Sequence, residues 1–165
     1  MTKTADTRPG EGDAFPDFTL ETPDGGTVSR DDMKGRQFVA FFYPKDDTPG
    51  CTTENKDFTQ LAEAFADAGI ALLGISKDPP AKHAKFIAKH DLKVPLASDT
   101  PADSGESGLA EALGIWVEKN MYGRTYMGME RTTYLVDAKG TITRVWRKVK
   151  VKGHAEDVLA AAKVG

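Results

Sequence analysis

QFVAFFY, residues 37–43, is an unbroken apolar, aromatic and β-branched run that stops at Pro44. Successive side chains of a strand point to opposite faces, so a strand that is apolar at every position must be covered on both. That pattern belongs to the interior strand of a largely parallel sheet with helices on either side. A helix is expected directly afterwards, because Phe58, Leu61, Ala62 and Phe65 recur at i, i+3, i+4 and i+7 and Gly69 stands where a helix would end.

The alternation continues outward from this unit. Residues 70–76 read as a second strand, 79–90 as a helix with Phe86 and Ile87 inward, and 94–97 as a short third strand, giving βαβαβ. A small helix is expected over 108–113, then strands over 132–136 and 141–145 joined through Asp137-Ala138-Lys139-Gly140, and a last helix after Gly153. Parallel units followed by an antiparallel hairpin and a terminal helix fit an α/β thioredoxin-like fold, a central mixed β-sheet flanked by helices.

Composition limits what such a domain can do. Its 165 residues can bury a core without disulfides or metal, and 39% apolar with 28% charged residues is ordinary for a globular chain. With 22 Lys plus Arg against 25 Asp plus Glu the net charge is −3, which offers no general attraction to nucleic acid or anionic lipid. Residues 1–12 are polar, contain Pro9, Gly10 and Gly12, and are expected to form a flexible tail before a single domain over 13–165. No apolar run approaches spanning length, and the expected location is cytoplasmic.

There is one cysteine, Cys51, so neither an internal disulfide nor a pair of redox thiols can form. It sits in Pro44-Lys45-Asp46-Asp47-Thr48-Pro49-Gly50-Cys51, between the buried strand and its helix, beyond the carboxyl end of the strand where open α/β sheets hold their sites. Thr48 followed by Pro49 reads as an N-cap followed by proline at the first helical position, which puts Cys51 in the first turn. Unpaired amides and the positive helix end there favour a thiolate. A buried lone cysteine can be merely a small hydrophobe, but these polar, Gly- and Pro-rich surroundings point instead to an accessible, reactive thiol.

The segment FYPKDDTPGCTTE resembles the active-site segment of the peroxiredoxins, in the bacterioferritin-comigratory-protein or PrxQ branch. The likeness runs from about residue 13 to the C-terminus and includes Lys119-Asn120-Met121-Tyr122-Gly123, Glu130-Arg131-Thr132-Thr133 and Val149-Lys150-Val151-Lys152-Gly153-His154. It implies a thiol-dependent peroxidase acting on hydrogen peroxide and organic hydroperoxides in antioxidant defence and cell redox homeostasis. Cys51 is then the peroxidatic cysteine, Thr48 the hydroxyl that contacts peroxide, Pro44 the residue that shields the sulfur, and Arg131 the guanidinium at a strand start. Glu54 matches the acid that orients this arginine. A thiolate attacking one peroxide oxygen drives charge onto the other, and an arginine, which cannot lose its charge, can donate to sulfur and oxygen together.

Many members of the branch carry a second cysteine five residues after the first, where this chain has Lys56. An external thiol must then reduce Cys51: thioredoxin, glutathione with glutaredoxin, or Cys51 of another copy all fit. The expected state is monomer or weak homodimer, with no cofactor and no metal. The competing reading is a non-catalytic thioredoxin-fold holdase or redox-sensing module, supported only by the missing second cysteine. His83, His90 and His154 read as surface or structural histidines, and the basic run 144–152 as the solvated face of a half-buried strand. Trp116, Met121, Tyr122, Tyr126, Met127 and Met129 read as packing over the sheet edge or a loop; the sharper alternative is that part of the segment borders the Cys51 pocket and admits organic hydroperoxides.

Overall fold

The structure is a computed structural model that describes residues 8–99 and 108–164. Strand β3 (Gln37–Phe42) runs parallel to β4 (Ile70–Ser76) on one side and antiparallel to β8 (Thr132–Val136) on the other. Its side chains divide between two cores, Phe38, Ala40 and Phe42 entering one, and Val39 and Phe41, joined by Tyr43, entering the other. The expectation of a strand covered on both faces therefore holds.

Helix α1 (Pro49–Asp67) covers the Val39 and Phe41 face with Phe58 and Phe65, and α2 (Pro80–His90) adds Phe86. Phe58 stacks on Phe41 with ring centroids 4.3 Å apart, and burying each such ring contributes about 1.5–3 kcal/mol. α4 (His154–Val164) closes the same face through Ala155, Val158 and Ala162. The opposite face is covered by α3 (Leu109–Leu113) together with Phe15 and Phe18. With β1 (Thr19–Glu21), β2 (Thr27–Ser29), β5 (Leu96–Ser98) and β9 (Ile142–Trp146), the sheet order is β2-β1-β5-β4-β3-β8-β9. It is a mixed sheet flanked by helices, as the alternation implied.

Two hairpins lie where no strand was expected. β1 and β2 pair at the sheet edge, three residues each and mostly exposed, too short for a period-2 signal. The segment read as loop packing is a separate hairpin of β6 (Trp116–Met121) and β7 (Arg124–Met129). Tyr122 and Gly123 both have positive φ, 53° and 77°, the two-residue turn that matches strand twist. Met129 is buried at its base, while Tyr122 at its tip is 98% exposed.

The basic run is only briefly a strand. β9 stops at Trp146, Lys148 turns left-handed at φ 49°, and Val149 N–H bonds the Arg131 carbonyl at 3.0 Å. The described part of the expected tail lies against the body: Arg8 reaches Glu130 at 3.3 Å and Gly12 N–H bonds Ile142 O at 2.9 Å. The rest of that tail, 1–7, lies outside the described residues. Among the described residues no helix is long and apolar enough to cross a membrane.

Gly74, inside β4, is closely packed by side chains of its neighbour strands β5 and β3. A Cβ there would lie 2.7 Å from Leu96 Cδ2 and 2.8 Å from Phe41 Cζ, below any contact real side chains make. Gly74→Ala is therefore expected to destabilise the fold by about 1–3 kcal/mol through overpacking. Urea denaturation measures this, and an unchanged midpoint would show the β4 interior to be slack.

Candidate active site

The antiparallel register of β3 and β8 sets Phe42 opposite Thr132. Arg131, one residue before β8, therefore stands beside the end of β3, where the chain turns through 43–48 into α1. Thr48 has the extended backbone of an N-cap and Pro49 takes the first helical position, as the sequence implied. The first main-chain bond of the helix runs from Thr52 N–H to Thr48 O at 2.8 Å, so the amides of Gly50 and Cys51 lie ahead of the ladder.

Arg131 joins two side chains of this first turn. Its Nη1 donates to Glu54 Oε1 at 2.7 Å and its Nη2 to Cys51 Sγ at 3.4 Å. Cys51 and Glu54 are three residues apart, hence on one helix face. Gly50 leaves room for the guanidinium, since a Cβ there would lie 3.2 Å from Nη2. Burial works against the charge on Arg131, but Glu54 and Cys51 outweigh it and hold the guanidinium pKa above its usual value.

Glu54 is 1% exposed and its Oε2 has no hydrogen-bond partner among the described residues. Burial pushes its carboxyl up from 4.5 to about 7, with Arg131 pulling the other way. Asn55 braces the same turn, donating from Nδ2 to Cys51 O at 2.9 Å.

One expectation about this site needs correction. The thiol is not accessible: Cys51 is 1% exposed and packs with Val39, Phe41, Tyr43 and Phe58. The Gly- and Pro-rich sequence around it reports the turn, whereas burial comes from the sheet and helices beneath. The Thr48 hydroxyl donates to Lys45 O at 2.8 Å and closes the loop on itself. Pro44 is half-buried at the start of that loop, and Lys56 faces solvent on α1.

The β6–β7 hairpin does approach the site, but with a different residue from those its apolar content suggested. Lys119 donates to Met129 O at 2.6 Å, and burial followed by repulsion from Arg131 pulls its ammonium below the usual lysine range. Beside Arg131 a cavity of about 570 Å³ is bounded by Val117, Lys119, Glu130, Lys148 and Val149. Met121, Tyr126 and Met127 instead face solvent.

All three histidines are structural. His83 is fully buried, His90 Nε2 contacts Asp47 Oδ1 at 2.8 Å, and His154 meets Thr133 Oγ1 at 2.8 Å. Sequence reading left His83 undecided although it stands three and four residues before Phe86 and Ile87, the spacing of the buried stripe. Among the described residues no three His, Cys, Asp or Glu side chains group as a metal site.

The chain is similar to known proteins over most of its length. Residues 11–145 match the AhpC/TSA family. The chain is 44% identical over 148 residues to the putative peroxiredoxin bcp of Coxiella burnetii, covering 90% of this chain and 95% of that one. Peroxiredoxin Bcp of Bacillus subtilis is 44% identical over 152 residues, covering 92% and 94%. Among solved structures, Peroxiredoxin Q of Xanthomonas campestris superposes with a TM-score of 0.80 at 43% identity, covering 89% and 90%. A mutant PrxQ of Xylella fastidiosa gives 0.87 at 34%, covering 96% and 98%. The sheet, its flanking helices and the sequence together make this chain a member of the AhpC/TSA family, with the thioredoxin-like fold and thiol-dependent peroxidase function of the Bcp/PrxQ peroxiredoxins and a single cysteine, Cys51.

Proposed function

We propose that Cys51 is the peroxidatic thiol, Arg131 the donor that serves sulfur and peroxide together, and Glu54 the acid that orients Arg131. The observation that carries this reading is the two-pronged contact of Arg131 with Cys51 Sγ and Glu54. In the first step the Cys51 thiolate attacks one oxygen of the hydroperoxide and the O–O bond breaks. The leaving alkoxide or hydroxide takes a proton to become alcohol or water, and Cys51 becomes a sulfenic acid. An external thiol then condenses with the sulfenic acid, releasing water and leaving a mixed disulfide, and a second thiol releases Cys51 as its own partner is oxidised.

Donors already in place where charge develops are worth more in a water-poor site than in solution, and burial of Cys51 supplies that setting. Thr48, one turn ahead, donates to Lys45 O and keeps its lone pairs to accept the hydroperoxide O–H, while Pro44 shields the sulfur. The substrates are hydrogen peroxide and organic hydroperoxides; a Xanthomonas campestris relative, 42% identical, is described for alkyl peroxide reduction. The reductant is thioredoxin or glutathione with glutaredoxin. The unit of function is one domain, 13–165, monomeric or weakly dimeric, in cytoplasmic redox homeostasis.

Treated with hydrogen peroxide and no thiol, the protein should consume about one peroxide per chain where it stops at sulfenic acid, or about one per two chains where a bridge between chains forms, because no internal thiol can condense with the sulfenic acid. Intact mass spectrometry reads this, and Cys51→Ser should abolish it. Continuing turnover without reductant would contradict the scheme, and merely stoichiometric loss of peroxide in excess thiol would favour the non-catalytic module.

The pH dependence follows from Glu54. Below about pH 7 its buried carboxyl is protonated and gives Arg131 no counter-charge; as pH rises through about 7 the carboxylate forms and fixes the guanidinium. The second-order rate constant for peroxide should rise across this range, and Glu54→Gln should remove that component. Because the folded pKa is raised, the stability linked to this carboxyl is complete below pH 4.5 and is lost as pH climbs through about 7. A pH–rate profile unchanged by Glu54→Gln would detach Glu54 from the mechanism.

A further inference from the structure

The loop from β3 to α1 is held from beneath by a chain of buried polar contacts, none of which touches the sulfur. Tyr43 Oη donates to Asp46 Oδ1 at 2.6 Å, Asp46 Oδ2 faces His83 Nδ1 at 2.6 Å, and His83 Nε2 faces Ala97 O at 3.0 Å. Tyr43 and His83 are 0% exposed and Asp46 2%. A carbonyl can only accept, so Nε2 carries a proton, and Nδ1 then shares a second proton with the Asp46 carboxylate. Burial, followed by the charge of Asp46, keeps the Tyr43 phenol well above its usual range and therefore a donor. The Asp46 main chain is fixed too, its N–H donating to Asp78 Oδ2 at 2.7 Å, which also accepts from Ser76 Oγ at 2.7 Å.

The next residue is gripped from outside. Asp47 sits at φ 61°, a left-handed conformation uncommon for a residue with a side chain. Its carboxylate takes Lys89 Nζ at 2.7 Å and His90 Nε2 at 2.8 Å. His83, Lys89 and His90 all belong to α2, so one helix holds two adjacent loop residues on opposite sides. The loop then passes its position on, because Lys45 O accepts the Thr48 hydroxyl and Thr48 begins α1. Arg131 is placed independently, by the register of β8.

We infer that the Tyr43–Asp46–His83 chain positions Cys51, holding the start of α1 at the distance from Arg131 that peroxide reduction needs. Buried ionisable groups are costly, and an apolar trio would pack the same space with less penalty. What this trio adds is directional: bonds that fix a strained turn immediately before the reactive residue. His83, Asp46 and Tyr43 are thus positioning residues for the peroxidatic step, and this role rests on Cys51 being the peroxidatic thiol.

The two donors of His83 can be separated. An asparagine amide falls near the place of Nδ1 and a glutamine amide near that of Nε2, so His83→Asn keeps the bond to Asp46 and His83→Gln keeps the bond to Ala97 O. For each, the second-order rate of Cys51 oxidation by hydrogen peroxide is measured in a single turnover by intact mass, beside Tm and the rate of Cys51 alkylation by iodoacetamide. Alkylation requires the thiolate but no alignment with Arg131. His83→Gln should lose about tenfold or more in the peroxide rate with less than threefold change in alkylation, while His83→Asn stays within about threefold of wild type on both. Tyr43→Phe, which removes one hydroxyl and keeps the ring packing, should lose about tenfold in the peroxide rate and covers the case in which a His83 variant does not fold. Parallel losses in the two His83 variants, parallel changes in peroxide and alkylation rates, or peroxide rates unchanged in His83→Gln and Tyr43→Phe would overturn the positioning role. A wild-type Cys51 that peroxide leaves unoxidised would overturn the peroxidatic reading itself, and the positioning role with it.

Discussion

The contact that everything else in the structure serves is the fork of Arg131 across Cys51 Sγ and Glu54 Oε1. Its two acceptors lie on the first turn of α1 and its donor stands just before β8, about 80 residues further along the chain. Only the pairing of β3 with β8 brings them together. Because side chains alternate along a strand, a one-residue slip in that register would turn every β8 side chain to the opposite face. The buried run Phe38 to Phe42 excludes such a slip, since both of its faces are packed in separate cores. The hydrophobic pattern of β3 is thus the reason a guanidinium meets a sulfur.

The same burial shapes the electrostatics. Glu54 is driven towards its neutral form by the removal of water, and only Arg131 opposes this. Arg131, serving both a carboxyl and the cysteine, keeps its charge in a place where an unpaired cation would be costly. A site in that balance responds to small displacements, which gives the rigid loop before Cys51 its importance. It also raises the demand on the reductant, which must reach a sulfur belonging to a residue 1% exposed. With Cys51 the one cysteine of the chain, that demand falls entirely on another molecule.

Much of this was legible in the sequence because it depends on local rules. The run 37–43, the α1 stripe of Phe58 and Phe65 and the Thr48-Pro49 helix start follow from periodicity and capping chemistry and were found where expected. The partnership of Arg131 with Cys51 came from family resemblance, since nothing local could link residues so far apart. Three features escaped for physical reasons. The β6–β7 hairpin exposes large apolar side chains that patterning assigns to packing, and its Tyr122-Gly123 turn lacks the usual Asn or Asp. The Thr48 hydroxyl turns back to Lys45 O, a partner that no periodicity or capping rule announces. Asp46 and His83 become partners only when α2 packs beside the loop, although the place of His83 on the buried stripe was there to be read.

The most direct measurement of the whole account is the rate at which peroxide oxidises Cys51 in Arg131→Lys. This variant keeps the positive charge and loses the planar fork that reaches sulfur and carboxylate at once. Loss of an aligned donor to developing charge lowers rates on the order of 10²-fold, and a fall of that size with the fold intact is the predicted result. A rate within about threefold of wild type would mean that a point charge suffices, and the fork could no longer be the basis of the site.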